Sequence, residues 1–170
     1  TGWWTSIAAG DFRHTGRTDY IVGNVGLNTL YKASEQYPVG ITAKDFDSTG
    51  AFIAIPSLYL PDEKGVKREY PAEGRDDITR QLVSMKKKFI NYKSYAVATM
   101  EEVLTPKQKD GAIRLQANTL TSCYIRNDGN GKFTMIPLPA AAQLAPLNGM
   151  VVDDFDDDGN ADVLINGNDF

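Results

Sequence analysis

The chain has one cysteine, Cys123, and one histidine, His14, among its 170 residues. A single cysteine excludes a disulfide bridge within the chain, and its place in an apolar run predicts a buried thiol. No local serine or cysteine motif accompanies the histidine, so the sequence gives little support for histidine-dependent catalysis. The single cysteine and the single histidine therefore favour a binding or structural role over catalysis by these residues.

Excess positive charge and long apolar runs are also missing. The formal net charge is −4 and the sequence pI is about 5.0, which does not favour a nucleic-acid partner. No apolar run is long enough to span a bilayer. The basic residues between Arg80 and Lys93 are interpreted as a solvated helix face, whereas residues 151–170 carry seven Asp and no Lys or Arg.

An acidic segment near the C-terminal end carries the strongest functional signal. With Asp154 as position one, side-chain oxygens recur at positions three, five and nine, Gly159 stands at position six, and position seven offers a backbone carbonyl. This spacing predicts a calcium site formed by Asp154, Asp156, Asp158, Asn160 and Asp162. Ile165 replaces the position-twelve Glu of an EF-hand, which predicts a loop between strands and a dissociation constant on the order of 0.1 to 1 mM. The alternative is an acidic, solvated turn.

Two earlier segments share the Asp-Phe start and the Gly of this loop but not all of its oxygen ligands. In the copy that begins at Asp11, Arg13 and Thr15 take the places of oxygen ligands. We expect the Arg13 guanidinium to pair with carboxylates of its own loop and to close the loop without metal. In the copy that begins at Asp45, Ile53 replaces the position-nine Asp, which predicts a weak or empty site.

Short apolar runs flank these loops, so the unit strand, acidic turn, strand is predicted to recur along the chain. A further hairpin is predicted at residues 127–133, because its glycines supply the positive φ values of a tight turn.

The interval between the second and third copies is too long for one such unit. Two runs within it have helical spacing, first Ile78, Leu82, Met85 and Phe89, then Tyr92, Ala96, Met100 and Val103. We therefore predict one mainly β chain with a helical insertion at 75–111. The first two motifs lie in 1–74, and the returning strands with the intact calcium loop lie in 112–170. We expect the chain to be a piece of a larger protein, because it starts at Thr1 without an initiator Met and stops just past a predicted strand.

The motifs at 9–12, 127–133 and 154–162 resemble FG-GAP or VCBS repeats, which form blades of β-propellers. The likeness is strongest to the large extracytoplasmic VCBS-repeat proteins of Bacteroidetes, including those with an ASPIC/UnbV segment, and is more distant to integrin α-subunit propellers. It covers both ends of the chain better than the middle. The resemblance implies a partial β-propeller in which calcium is the cofactor and Asp154, Asp156, Asp158, Asn160 and Asp162 are its ligands.

These expectations predict a noncatalytic, calcium-stabilised module that binds or scaffolds a protein or glycan in the periplasm or at the cell surface. One alternative is part of an extracytoplasmic hydrolase whose catalytic residues are not identifiable. Another is a carbohydrate-binding module that uses Trp3, Trp4 and Asn-rich turns. Adjacent strand residues face opposite sides, so one of the two Trp side chains is expected to pack inward. The turn residues considered for sugar contact are Asn24, Asn28, Asn166 and Asn168.

Overall fold

The computed structural model describes residues 1–167, and the protein is 38% strand and 17% helix. The prediction of a mainly β chain is therefore confirmed. The strands are β1 (Ser6–Gly10), β2 (Asp19–Gly23), β3 (Val39–Lys44), β4 (Ile53–Pro61), β5 (Lys67–Pro71), β6 (Ile113–Ala117), β7 (Cys123–Gly129), β8 (Lys132–Pro137), β9 (Leu147–Asp153) and β10 (Asp162–Gly167). These residues do not close into a ring of blades, and the propeller stays a prediction.

The helices lie inside the segment for which apolar spacing predicted them. They are α1 (Arg75–Gln81), α2 (Ser84–Lys88), α3 (Tyr92–Ala96), α4 (Met100–Val103) and α5 (Pro106–Lys109). The first apolar run is buried as expected, but Tyr92 and Ala96 of the second run are exposed. The helices are short and separated by turns, so one helical period does not continue from the first run into the second. The division at 74 and 112 stays a prediction.

The chain forms two compact units. Unit 1 comprises Thr1–Leu30 and the chain from Thr119 onwards, and unit 2 comprises Tyr31–Asn118. The first and third acidic loops belong to unit 1, and the second belongs to unit 2.

Unit 1 contains an antiparallel sheet in the order β1-β2-β7-β8 and the separate antiparallel hairpin β9–β10. The predicted hairpin at 127–133 is confirmed, because β7 pairs with β8 and Gly129 and Gly131 have φ values of 86° and 73°. Strand β1 lies against β9, where Thr5 Oγ1 donates to the Leu147 carbonyl at 2.7 Å.

A buried polar network fastens the ends of β2 and β7 in unit 1. The Asn24 N–H donates to Ser122 Oγ at 3.0 Å, and Asn24 Nδ2 donates to the Thr119 carbonyl at 3.1 Å. Gln143, in the 3₁₀ turn Ala140–Gln143, accepts from the Ser122 N–H and donates to the Ser122 carbonyl, both at 2.9 Å. Buried polar groups cost little when they are paired in this way, so the network fixes the sheet end without loss of stability.

Unit 2 contains an antiparallel sheet in the order β5-β4-β3-β6, against which the helices build an apolar core. The β4 side chains Ile53 and Ile55 join this core, and Phe46 packs against it. The helix contribution consists of Ile78, Leu82, Met85, Phe89, Tyr95, Ala98, Met100, Val103 and Leu104. The helices therefore supply most of the apolar partners of one strand, β4.

Candidate metal centre and its two related loops

The three acidic loops connect antiparallel strand pairs in the same register. The strand residues that face each other across the loop base are Gly10 with Asp19, Lys44 with Ile53, and Asp153 with Asp162. In each pair the second residue stands at position nine of its loop. Position nine is therefore where each loop re-enters the sheet.

The backbone of the three loops also follows one conformation. The residue at position four has a positive φ in every loop, 52° at His14, 60° at Ser48 and 58° at Asp157. Position six is a glycine with positive φ in every loop, at Gly16, Gly50 and Gly159. Left-handed φ values are unfavourable for most residues, so their recurrence at matching positions indicates a shared loop geometry.

The first carboxylate of each loop closes its own turn. Asp154 accepts from the N–H groups of Asp158 at 3.1 Å and Gly159 at 2.8 Å. Asp11 and Asp45 accept from the corresponding positions of their loops, at 2.6 to 3.1 Å. These N–H donors lower the pKa of Asp11 and Asp45. The turn is thus held by backbone hydrogen bonds in all three loops.

The third loop brings three of its predicted ligands together. One oxygen each from Asp154, Asp156 and Asp162 lies within 4.8 Å of the other two. Oxygens that bind one calcium ion stand about 2.3 to 2.6 Å from it, so two of them lie at most about 5 Å apart. The three oxygens therefore satisfy the distance requirement for one calcium ion.

The carboxylate of Asp158 is not part of this group of three, and the participation of the Asn160 backbone carbonyl stays a prediction. Asp158 Oδ1 accepts from the Asn160 N–H at 2.8 Å and from its side-chain amide at 3.0 Å, and this donation lowers the pKa of Asp158. Asn160 Oδ1 accepts from His14 Nε2 at 3.1 Å, which joins the third loop to the first. Calcium takes six to eight oxygens, so the trio would need further oxygens from neighbouring groups or water.

The first loop places a guanidinium near its position-nine carboxylate. Arg13 donates from Nε and Nη2 to the two oxygens of Asp19, each at 2.9 Å, so the predicted internal pairing is confirmed. Asp19 is fully buried, and it also accepts from the Tyr124 hydroxyl and from the Asn127 N–H at 2.7 Å. Arg13 and these donors hold the pKa of Asp19 well below its usual range. The first loop therefore places an internal cation beside its position-nine carboxylate.

The second loop has no carboxylate at position nine. Ile53 occupies that position and is buried in the apolar core of unit 2. Asp47 Oδ1 accepts from the Thr49 hydroxyl at 2.8 Å, and Asp45 accepts the backbone donors described above. The weak or empty metal site expected in this loop stays a prediction.

The residues considered for sugar contact have different environments. Trp3 and Trp4 are 39% and 42% exposed, so the expectation that one of them packs inward is wrong. They lie outside any strand, and strand alternation does not apply to them. Asn24 is fully buried in the polar network, and Asn28 Nδ2 donates to the Leu144 carbonyl at 3.2 Å. Asn166 is exposed, and Asn168 lies outside the described residues.

Sequence reasoning missed the contribution of Tyr124 and Asn127 to the first loop. Both belong to β7, which pairs with β2, and Tyr124 is 105 positions away from Asp19. No local spacing signals a contact at such a separation.

Comparisons with known protein families, curated proteins and solved structures each found no match to this chain. Within residues 1–167, no helix combines the length and apolar character needed to cross a membrane.

Proposed function

We propose that this chain is a noncatalytic, propeller-type repeat module whose third acidic loop binds calcium. Its ligands would be Asp154, Asp156 and Asp162, joined by Asp158 and the backbone carbonyl of Asn160. The single observation that carries this proposal is the trio of carboxylate oxygens, held by a loop geometry that recurs twice elsewhere in the chain. Carboxylates about 4 Å apart repel one another by roughly 1 kcal/mol in water, and a bound cation would relieve this repulsion.

The strand order of unit 1 supports the propeller-type architecture. The sheet β1-β2-β7-β8 is a four-stranded antiparallel array whose neighbours follow one another along the chain, with unit 2 between β2 and β7. An acidic loop joins the first and second strands of this sheet, and another joins β9 to β10. Two successive sheets that begin with the same loop are the pattern expected of consecutive blades. The proposed membership of the FG-GAP or VCBS group rests on this pattern and on the motif likeness.

The proposed location is the periplasm or the cell surface. A loop without the position-twelve Glu suits affinities on the order of 0.1 to 1 mM, which are typical of extracellular calcium modules. In that setting the bound ion would brace the turn and the module would present its surface to a protein or glycan.

Calcium titration of thermal stability tests the proposal. Addition of 10 mM calcium to chelator-treated protein is expected to raise the Tm by about 3 to 10 °C, given the affinity above. Asp156→Asn should remove most of this rise, because it takes a charge from the trio. Asp47→Asn makes the same change at position three of the second loop and should leave the rise intact. Equal melting with calcium and with chelator would overturn the proposal.

A second candidate function is sugar binding, which the exposure of both Trp3 and Trp4 favours. Indole faces stack on sugar rings, and each of these two indoles is exposed enough to offer such a face. Binding to a glycan array that Trp3→Ala and Trp4→Ala both abolish, with unchanged melting, would support this candidate. Retained binding in both variants would exclude these indoles as the contact surface.

A further inference from the structure

Unit 2 contains a groove between the β4–β5 hairpin and helices α3 and α4, with a volume of about 990 Å³. Its lining residues come from segments 60–64, 68–75 and 92–102. None of the acidic-loop residues lines it. The groove is therefore independent of the candidate metal centre.

Negative charge is in excess along this groove. Its ionisable lining consists of the carboxylates Asp62, Glu63, Glu73, Glu101 and Glu102 and the cations Lys64, Arg68 and Arg75. Two of these cations are already engaged. Arg68 Nε donates to Asp62 Oδ2 at 2.8 Å, and Arg75 donates to the carbonyls of Phe89 and Ile90 at 2.8 and 3.1 Å.

Two carboxylates that line the groove keep acceptor capacity. Among residues 1–167, neither Glu73 nor Glu101 forms an ion pair, and Arg68, which is bonded to Asp62, interacts with Glu101 only at longer range. Glu73 Oε2 accepts from Gln81 Nε2 at 3.2 Å, and burial raises the pKa of Glu73. A partly desolvated carboxylate is stabilised by an external cation, so Glu73 favours a positively charged ligand.

Apolar surface lies beside these carboxylates. Leu60 and Val97 line the groove and are both exposed. Lysine and arginine bury their aliphatic stems on such surface while the charged head reaches a carboxylate. The lining thus combines the two features that a basic side chain requires.

We propose that this groove binds a short basic segment of a protein partner, whose lysine or arginine side chains pair with Glu73 and Glu101 and pack on Leu60 and Val97. A sugar ring fits the lining less well. The exposed ring of Tyr92 has the Arg75 guanidinium 5.3 Å from its centroid, and its hydroxyl donates to Asp76 at 2.7 Å. That ring is already engaged, and Tyr95 is buried.

Fluorescence anisotropy on the 170-residue chain tests the proposal with a labelled octapeptide of alternating lysine and leucine. An octapeptide of alternating glutamate and leucine is the matched control. The basic peptide should bind at least tenfold more tightly than the acidic one. Its affinity should fall severalfold when sodium chloride is raised from 50 to 300 mM, because salt screens partly exposed charges. Calcium and chelator should give the same affinity, which separates this test from that of the metal centre.

Two substitutions locate the peptide. Glu101→Lys should weaken binding at least tenfold, and Glu73→Gln should weaken it about threefold or more. Asp110→Lys makes the same charge change as Glu101→Lys in unit 2 but outside the groove, and it should weaken binding less than threefold. Unchanged melting would show that the variants remain folded. Equal weakening by Glu101→Lys and Asp110→Lys, no preference for the basic peptide, or displacement by a neutral oligosaccharide would overturn the proposal.

Discussion

The first and third acidic loops share a backbone but differ in what surrounds the carboxylate at position nine. In the first loop Asp19 is fully buried and receives hydrogen bonds from Arg13, Tyr124 and the Asn127 N–H. In the third loop Asp162 is partly exposed and its oxygen stands near those of Asp154 and Asp156. The position-nine carboxylate therefore lies beside the Arg13 guanidinium in the first loop, whereas in the third loop it lies beside two further carboxylates.

This difference shows that the loop conformation and the charge of the site are separate properties. The backbone N–H groups that bind the first Asp close the turn in both loops, whatever occupies position nine. The second loop extends the comparison, since it keeps the turn although Ile53 at position nine packs in an apolar core. Substitutions near position nine should consequently alter stability and cation dependence without changing the turn.

The largest effect is expected when the internal cation of the first loop is removed. Arg13→Gln leaves the carboxylate of Asp19 buried without its ionic partner, which is strongly destabilising for an enclosed charge. We expect the Tm to fall by about 6 to 12 °C in thermal unfolding followed by circular dichroism.

A nearby arginine provides the control for this substitution. Arg17 is exposed and donates to the Asp128 carbonyl at 3.2 Å, so Arg17→Gln should change the Tm by less than about 2 °C. Asp19→Asn combined with Arg13→Gln should recover part of the loss, because the buried charge is then absent. A fall of similar size for both single arginine variants would contradict the assigned role of Arg13.

An intermediate effect is expected when the first loop is given the charge pattern of the third. Arg13→Asp places a carboxylate at position three, close to Asp11 and Asp19, and should destabilise the chelator-treated protein. We expect 10 mM calcium to restore about 3 to 10 °C of the lost Tm beyond its effect on the unsubstituted chain. Arg13→Gln, which adds no ligand, should show no such additional recovery. An equal rise of the Tm with calcium in the two variants would show that the Arg13 guanidinium does not occupy the place of a bound calcium ion in the first loop.

Local patterns were sufficient to predict the features of the loops that depend on nearby residues. The Asp-Phe start and the Gly at position six predicted three strand-linked turns, and Arg13 was expected to pair within its own loop. The 3.6-residue spacing likewise predicted the burial of Ile78 and Leu82. Each of these features is fixed by interactions between residues close in sequence.

Features that join distant residues could not be predicted in the same way. The pairing of β2 with β7 brings Tyr124 and Asn127 to Asp19, although the whole segment that forms unit 2 lies between them in the sequence. The spacing of the third loop predicted five ligands, but only the side-chain rotamers decide that Asp154, Asp156 and Asp162 form the close trio. The helical spacing of apolar residues also continues from Phe89 to Tyr92, although α2 ends at Lys88 and a new helix, α3, begins at Tyr92. The spacing of residues along the sequence does not specify which distant strands pair, where a helix breaks or how a side chain is oriented.

A smaller effect concerns acid. The pKa of Asp19 is lower in the folded than in the unfolded chain, so its stabilising effect is complete above pH about 4 and is lost as the pH falls further. The Tm difference between the unsubstituted chain and Arg13→Gln should therefore shrink by about 2 to 4 °C between pH 7 and pH 3. Melting curves at pH 7, 5 and 3 measure this change. A difference that grows in acid would mean that Asp19 is not the group that responds.

The smallest effect is expected at the contact that joins the two loops. His14 Nε2 and Asn160 Oδ1 are both exposed, and an exposed hydrogen bond exchanges readily with water. His14→Ala should therefore change the Tm by less than about 2 °C and the calcium affinity by less than twofold, as followed by calorimetric titration. A tenfold loss of affinity would instead mean that the first loop positions Asn160 for the metal. In that case the two loops would form one coupled site, and the separation between turn geometry and site charge would fail for this pair.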